Sequence, residues 1–256
     1  MEVKQITIAS KRNIQNGFTI IEVMIAVMVS SILIAAVYQT FHSQQRSYTM
    51  QNEAAAMEQN LRGSLYLLTK ELRSAGYNPK QETIENFRFV TSFPAPNNLF
   101  TVNYDGSGSI ESNAHFTVAF TLDTDGSGGI ESNRNEQIAY KFDKDTKTLQ
   151  RFNDNQPDIT KKWEIVASNI DAVYFMYYDN KKTITSDPAK IEYVEITMLA
   201  RTGKQDSKYT STTVYTNKEG VKLCPLVSDQ CVNDSFGDHY HRRLLTTTIQ
   251  IRNKLF

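Results

Sequence analysis

The sequence predicts an α+β fold in which a long N-terminal helix, transmembrane and then amphipathic, packs on an antiparallel β-sheet globular domain. Three observations predict this fold class. An apolar run lies near the N-terminus, a helical pattern without proline continues to Pro79, and short stretches of alternating polarity follow. Alternation with a period of two buries one face of a strand, and short connections favour antiparallel hairpins. A chain of 256 residues can supply one globular domain and one extended element.

The N-terminal apolar run is long enough to span a membrane. Residues 18–38 read FTIIEVMIAVMVSSILIAAVY and contain one charged side chain, Glu22. A helix of this length covers roughly 30 Å, the thickness of the hydrocarbon core of a bilayer. A secretory signal peptide is disfavoured, because its apolar core is shorter, lacks acids and ends at a small-residue cleavage site. An ionised carboxylate costs about 2.5–3.5 kcal/mol at mid-span and less near the interface, so a simple anchor does not explain Glu22.

Glu22 gains a partner if the chain is cut between Gly17 and Phe18. The cut gives Phe18 an α-amino group, which is normally cationic with a pKa of about 8. Glu22 of one subunit can then pair with the Phe18 amine of a neighbouring subunit, where apolar surroundings screen charges weakly. Because this pair needs two chains, we predict that Glu22 serves assembly and not the folding of its own chain.

The residues at this junction resemble the type IV prepilin motif, in which a basic leader ends in Gly before Phe-Thr-x-x-Glu and an apolar helix. The matching positions are Gly17, Phe18, Thr19 and Glu22, with Lys11 and Arg12 as the basic flank. The resemblance implies that a dedicated membrane peptidase removes the leader, residues 1–17, and N-methylates Phe18. Basic residues ahead of a span also predict a cytoplasmic N-terminus.

Helical periodicity continues beyond the membrane span as far as Gly76. Apolar residues at spacings of three and four form one stripe, which we expect to pack on the sheet: Met57, Leu61, Leu65, Leu68 and Leu72. Gly76 is a suitable C-cap, and Pro79 prevents the helix from continuing. The predicted domains are the leader 1–17, a stem helix 18–76 that spans the membrane over 18–38, and a globular head 77–256.

Two segments are similar to PilW-type minor pilins within the prepilin families. Residues 38–79 carry most of this similarity, and residues 241–253 resemble the closing strand of the same group. The resemblance implies the pilin fold. Many major pilins kink the stem with a proline just beyond the membrane, and this chain has none there, so the path of the helix stays open.

The remainder of the chain has the pattern of strands. Residues 138–142 and 194–198 alternate most clearly between apolar and polar side chains. The predicted strands are Phe87–Thr91, Leu99–Tyr104, His115–Leu122, Gln137–Phe142, Thr148–Phe152, Trp163–Ala167, Ala172–Tyr178, Glu192–Ala200, Thr210–Thr216 and Leu244–Arg252.

An acidic, glycine-rich segment occurs twice, at Asp105–Asn113 and at Asp125–Asn133. With Asp123 in front, the second copy resembles the first half of an EF-hand loop, in which alternate oxygen ligands surround Ca²⁺. It departs from that loop because Arg134 occupies the twelfth position, where EF-hands have a bidentate Glu. The predicted calcium ligands are Asp123, Asp125, Ser127, Gly129, Glu131 and Glu136. The alternative is a pair of ordinary turns, and no cofactor is required in either case.

The sequence contains no motif for catalysis or for nucleic-acid binding. Its 28 basic and 28 acidic side chains balance, which does not favour a polyanionic partner. No His lies at motif spacing from a nucleophile, and His239 with His241 lacks a third metal ligand. Because catalytic motifs are missing, we expect no enzyme activity.

Cys224 and Cys231 lie close together in one loop, so in an exported domain we predict a disulfide between them.

These inferences favour a minor pilin that takes part in assembly or initiation of a type IV pilus, near the filament tip. Its expected partners are other pilins, the prepilin peptidase and the inner-membrane assembly machinery. It would start as a single-pass inner-membrane protein with a periplasmic head, and then enter the extracellular pilus. Two alternatives stay open: a type II secretion pseudopilin, and a membrane-anchored calcium-binding adhesion module that never polymerises. The charge of Glu22 argues against the second alternative, because a simple membrane anchor has no use for it.

Overall fold

The computed structural model describes residues 17–79, 117–127, 134–153, 155, 163–185, 187, 190–220, 222–223 and 235–253. These residues form α1 (Ile20–Arg73), β1 (Thr117–Thr121), β2 (Gln137–Asp143), β3 (Thr148–Phe152), β4 (Trp163–Ser168), β5 (Ile170–Tyr178), β6 (Tyr193–Arg201) and β7 (Arg242–Gln250). The chain divides into two compact units, Met1–Thr49 and Met50–Phe256. The second unit contains all seven strands.

The first unit contains the start of α1. Over the described residues, α1 is the one helix that is long and apolar enough to cross a membrane, and its most apolar stretch is entirely exposed. This observation agrees with the predicted span at residues 18–38 and is consistent with membrane anchoring.

The second unit confirms the predicted stripe on α1. Leu61, Leu65, Leu68 and Leu72 are buried, and Met57 packs at the edge of the same core. The helix ends at Arg73, and Gly76 adopts a left-handed conformation with φ of 73°. The Gly76 N–H donates to the Thr121 carbonyl oxygen at 2.9 Å, which joins the end of the helix to β1. The predicted helix, its C-cap and the antiparallel strands are thus confirmed.

The seven strands form two antiparallel sheets. The first has the order β1-β2-β3-β4, and the second has the order β5-β6-β7. The chain passes between them at Asn169, whose φ of 58° turns the backbone sharply after β4. The Ile170 N–H donates to the Lys147 carbonyl oxygen at 3.0 Å, so the start of the second sheet is hydrogen-bonded to the first.

One core lies between α1 and both sheets. Alternate side chains of the strands enter it, including Phe120 of β1, Tyr140 of β2 and Ile196 of β6, each of which is fully buried. Tyr140 donates a hydrogen bond to Glu71 of α1, which also accepts from Arg151 at 3.0 Å. Burial and the neighbouring Glu71 carboxylate raise the pKa of Tyr140 well above its usual range. The tyrosine therefore stays neutral and holds the acidic side chain of the helix against the sheet.

The predicted strand at Thr210–Thr216 is wrong. This segment is irregular, and over the described residues its one β-bridge is the isolated bridge between Thr216 and Lys222. Its alternating Thr and Tyr residues resemble a strand, but the segment lies over the second face of the β5-β6-β7 sheet instead of extending an edge. Tyr215 packs there in a smaller cluster with Leu199 and Phe236.

Several predictions concern residues outside the described ranges. They are the strands Phe87–Thr91 and Leu99–Tyr104, the first acidic copy Asp105–Asn113, and the disulfide between Cys224 and Cys231. The described strands otherwise agree with the predicted ones to within about two residues, which is the usual uncertainty of element ends.

Candidate functional site

The first candidate site is the start of α1, where Thr19 and Glu22 form a reciprocal pair of hydrogen bonds. The Glu22 N–H donates to Thr19 Oγ1 at 3.3 Å, and the Thr19 N–H donates to Glu22 Oε2 at 2.9 Å. The Thr19 hydroxyl also donates to Glu22 Oε2, at 3.0 Å. This arrangement is a capping box, which satisfies two backbone donors that a helix otherwise leaves unpaired at its N-terminus.

The capping box gives Glu22 a role within its own chain that the sequence analysis missed. The pattern Thr-x-x-Glu ahead of an apolar run is the sequence signal of such a box and would have identified it. Over the described residues, both Thr19 donors go to Oε2. The other oxygen, Oε1, stays available, so the box does not prevent an ion pair with a second chain.

The residues on either side of the predicted cleavage point are exposed. Phe18 has 88% of its surface accessible, and Gly17 is also exposed. A Cβ atom built at Gly17 would meet no atom within 4 Å. The junction is therefore open to a peptidase, and the space around Gly17 imposes no requirement for glycine within this chain.

The apolar side chains that follow form a large exposed surface. Among them are Ile20, Met24, Met28, Leu33 and Val37, each of which is more than half exposed. Soluble monomers rarely expose apolar patches of this extent, and such patches mark contacts with membranes or with other proteins. This surface therefore needs a lipid or protein environment.

The second candidate site is the acidic loop between β1 and β2. Asp123, Asp125 and Glu136 each have a carboxylate oxygen within 4.8 Å of the other two. Asp123 and Glu136 are fully buried, and they lie at the ends of the strands that the loop connects. The predicted ligand Ser127 lies on the exposed side of the loop, and Gly129 and Glu131 lie outside the described residues. The fold thus brings together three of the six predicted ligands.

Hydrogen bonds within the loop occupy these carboxylates. The Gly126 N–H donates to Asp123 at 2.6 Å, and the Thr124 N–H donates to Glu136 at 3.0 Å. Asp125 accepts from the Ser127 N–H at 2.9 Å and pairs with Arg134 Nη1 at 2.6 Å. The Ser127 amide and, to a lesser extent, the Arg134 guanidinium lower the pKa of Asp125 below its ordinary value. Arg134, at the position of the EF-hand Glu, thus supplies positive charge from within the chain, and calcium binding stays a prediction.

His239 and His241 contact the same turn, and over the described residues they belong to no group of three or more side chains that could hold a metal ion. His241 Nε2 lies 3.2 Å from Asp206 Oδ2, and its ring stacks on Tyr209 with centroids 3.9 Å apart. His239 forms a hydrogen bond with the Tyr209 carbonyl oxygen. These contacts give both side chains a structural role.

Two protein families match the chain. Residues 12–38 match the prokaryotic N-terminal methylation motif, and residues 50–218 match prepilin peptidase-dependent protein B. Among solved structures, a type IV-like pilin from Thermus thermophilus is similar, with a TM-score of 0.40 and 9% identity over 77% of this chain and 98% of that one. None of the curated proteins matches the chain.

The second family match covers more than half of the chain, and the first covers the junction where the exposed Phe18 precedes the capped helix. The matched families are structural proteins that depend on prepilin processing, so the chain is not an enzyme. The chain belongs to the prepilin peptidase-dependent protein B family and is a type IV pilin-like protein.

Proposed function

We propose that the chain is a minor pilin precursor that takes part in the assembly or initiation of a type IV pilus, near the filament tip. This proposal rests on the combination of a processing motif and an exposed apolar helix at the N-terminus. Gly17-Phe18-Thr19-x-x-Glu22 matches a methylation motif, and it opens a helix whose apolar side chains are exposed. The similarity of residues 38–79 and 241–253 to PilW-type minor pilins supports the minor-pilin assignment.

The precursor would lie in the inner membrane until assembly. The leader, residues 1–17, stays cytoplasmic because Lys11 and Arg12 precede the span 18–38. A prepilin peptidase cuts after Gly17 and methylates the new Phe18 amine, and the globular head faces the periplasm. The subunit then leaves the bilayer for the filament.

Assembly would use the apolar surface of α1 and the charge of Glu22. In a filament, neighbouring helices replace lipid around the exposed apolar side chains. Glu22 Oε1 pairs with the Phe18 amine of the adjacent subunit, which neutralises both charges in surroundings of low dielectric. Contacts of this head-to-tail kind generate an open helical array, which a filament requires.

Mass spectrometry of the membrane-extracted protein tests the processing step. We expect a mature chain that begins at Phe18 and carries an N-methyl group, in cells that contain a prepilin peptidase. Gly17→Val is expected to block cleavage, because a branched side chain hinders close approach of the peptidase to the scissile bond. Since a Cβ at Gly17 meets nothing in this chain, misfolding would not explain a block. An unprocessed N-terminus in the wild type would contradict the proposal.

A further inference from the structure

A groove of about 410 Å³ lies beside the C-terminal end of α1. Its walls come from the exposed side of the helix and from the chain that follows β7. The side chains that line it include Tyr66, Lys70, Arg73, Tyr77, Arg252 and Asn253. The buried stripe of α1 points the other way, so this side of the helix is uncovered over the described residues.

The groove carries three positive charges that no described group neutralises. Lys70, Arg73 and Arg252 are all exposed, and none of them forms an ion pair or a side-chain hydrogen bond in the described part of the chain. The nearest acid along the helix, Glu71, points inward and is occupied by Arg151 at 3.0 Å. Among the described residues that line the groove, none carries a carboxylate. Like charges without a counter-charge repel one another, so the groove favours an anionic partner.

The negative end of the helix dipole does not by itself explain why three cations line the groove. Cations in the last turn interact favourably with the negative end of the helix dipole, which accounts in part for Lys70 and Arg73. The end of the helix is already capped, because Asn253 Nδ2 donates to the carbonyl oxygens of Ser74 at 3.2 Å and of Ala75 at 3.3 Å. Arg252 comes from the chain after β7, so the sequence preference for cations in the last helical turn does not account for it.

Two tyrosines provide apolar contact area beside the charges. Tyr66 is 71% exposed and Tyr77 is 46% exposed. Exposed tyrosine beside arginine is the composition of protein contact surfaces, where these residue types are enriched. Both tyrosines line the groove together with Lys70 and Arg73, so the groove offers apolar contact area as well as positive charge.

We propose that this groove binds an acidic segment of a neighbouring pilin subunit in the filament, an inference that rests on the proposed function. A carboxylate can form charge-assisted hydrogen bonds with each of the three cations. A nucleic-acid strand fits less well, because Asp123 donates its N–H to the Tyr77 carbonyl oxygen at 2.8 Å and introduces the acidic loop just beyond the groove.

Photo-crosslinking in piliated cells tests the contact in the full-length chain. A benzoylphenylalanine at Tyr66 or at Tyr77 is expected to crosslink to another pilin, through a peptide that contains Asp or Glu. The double variant Lys70→Glu, Arg73→Glu should remove the crosslink and lower the amount of this subunit in sheared filaments roughly tenfold, because like charges then face each other. Lys70→Gln with Arg73→Gln, which adds no repulsion and puts no acid at the helix end, should give a smaller loss.

The matched control is Lys181→Glu with Lys208→Glu, which makes the same charge change on two exposed loops. It should leave crosslinking and incorporation at wild-type levels, and all variants should show normal leader cleavage. Changing the crosslinked partner's acid to Lys should restore incorporation of the Lys70→Glu, Arg73→Glu variant. The inference is overturned if that variant enters filaments normally, or if the crosslinks go to nucleic acid, lipid or a protein that is not a pilin. Absence of the wild-type subunit from filaments would instead refute the proposed function.

Discussion

Glu22 carries out one task within its own chain and is proposed to carry out another between chains. Its carboxylate closes the capping box with Thr19 through Oε2, which starts α1 at Ile20. The same side chain is the only charged group in the apolar run, and its second oxygen is available to a neighbouring amine. A substitution that removes the whole carboxylate therefore mixes two effects, and the variants below separate them.

Glu22→Gln should reduce incorporation into filaments while it preserves the helix start. Glutamine also closes a capping box, so the hydrogen bonds with Thr19 can persist. The neutral side chain leaves the Phe18 amine of the neighbour unpaired, and breaking a buried ion pair in this way costs about 3–5 kcal/mol. The measurement is the amount of the subunit in sheared filaments, relative to its amount in membranes.

Thr19→Ala is the control for the capping box. It removes the hydroxyl but keeps the charge of Glu22, so incorporation should fall less than in Glu22→Gln. Glu22→Ala removes both interactions and should resemble Glu22→Gln in incorporation, with normal membrane insertion because a costly charge is gone. Wild-type incorporation of Glu22→Gln would refute the pairing and leave the motif as a processing signal.

The acidic loop provides a separate test of calcium. Added Ca²⁺ should raise the melting temperature of the chain, because a ligand that binds the folded state stabilises it. Asp123→Ala with Asp125→Ala should abolish the gain, whereas Arg134→Gln should increase it by releasing Asp125 from its internal partner. Asp145→Ala, in the turn after β2, is the control. Equal melting of the wild type with and without Ca²⁺ would identify an ordinary turn closed by Arg134.

At the scale of elements, helical periodicity was informative because it reports burial directly. The apolar stripe on α1 is the side of the helix that the sheets cover, so spacing alone identified the core residues. Alternation of polar and apolar side chains was a less reliable predictor of strands, as the irregular segment Thr210–Thr216 shows. Threonine and tyrosine suit any half-buried extended segment, and sequence spacing does not reveal whether such a segment joins a sheet edge or crosses a sheet face.

Leu68→Ala should destabilise the second compact unit by about 2–5 kcal/mol, the usual cost of truncating a fully buried leucine. Leu67→Ala, one position along, makes the same change at a half-buried site outside the core and should cost clearly less. Urea unfolding of a soluble form that begins at Met50 measures both. Equal losses for the two variants would show that the stripe does not pack as described.

At the scale of the whole molecule, one buried charge cluster joins the two sheets and the segment before β7. Arg242 Nε donates to Asp171 at 2.7 Å, and Arg242 Nη2 donates to Asp238 at 2.6 Å. Lys147, in the turn between β2 and β3, lies 3.9 Å from Asp171. Arg242 also lies over the ring of Phe236, at 3.6 Å from its centroid. Charges buried to this degree are stable only when they are paired.

This cluster predicts a loss of stability in acid. Partial burial opposes ionisation of Asp238, but the Arg242 guanidinium outweighs it and holds the pKa of Asp238 below its ordinary value. A depressed pKa stabilises the fold above the unfolded value of about 3.9, and this contribution disappears as the pH falls through the lower pKa of the folded state. Asp238→Asn should therefore flatten the fall in melting temperature below about pH 4. Asp145→Asn, which removes an exposed carboxylate, should leave the fall in melting temperature unchanged. If Asp238→Asn also leaves it unchanged, the Asp238–Arg242 pair does not cause the loss of stability in acid.

The sequence by itself determined the features that depend on neighbouring residues: the Gly17–Phe18 junction, the apolar run with its single acid, the stripe on α1 and the glycine that ends the helix. Each is a short pattern whose physical cause is local, namely a predicted peptidase site, a membrane thickness, helical spacing and a left-handed φ. Tertiary structure decided what distant residues do to one another. It paired Arg242 with Asp171, packed Tyr215 against a sheet face, and placed Arg252 and Lys70 in one groove beside α1. These outcomes depend on which faces the fold brings together, and no spacing along the chain encodes that.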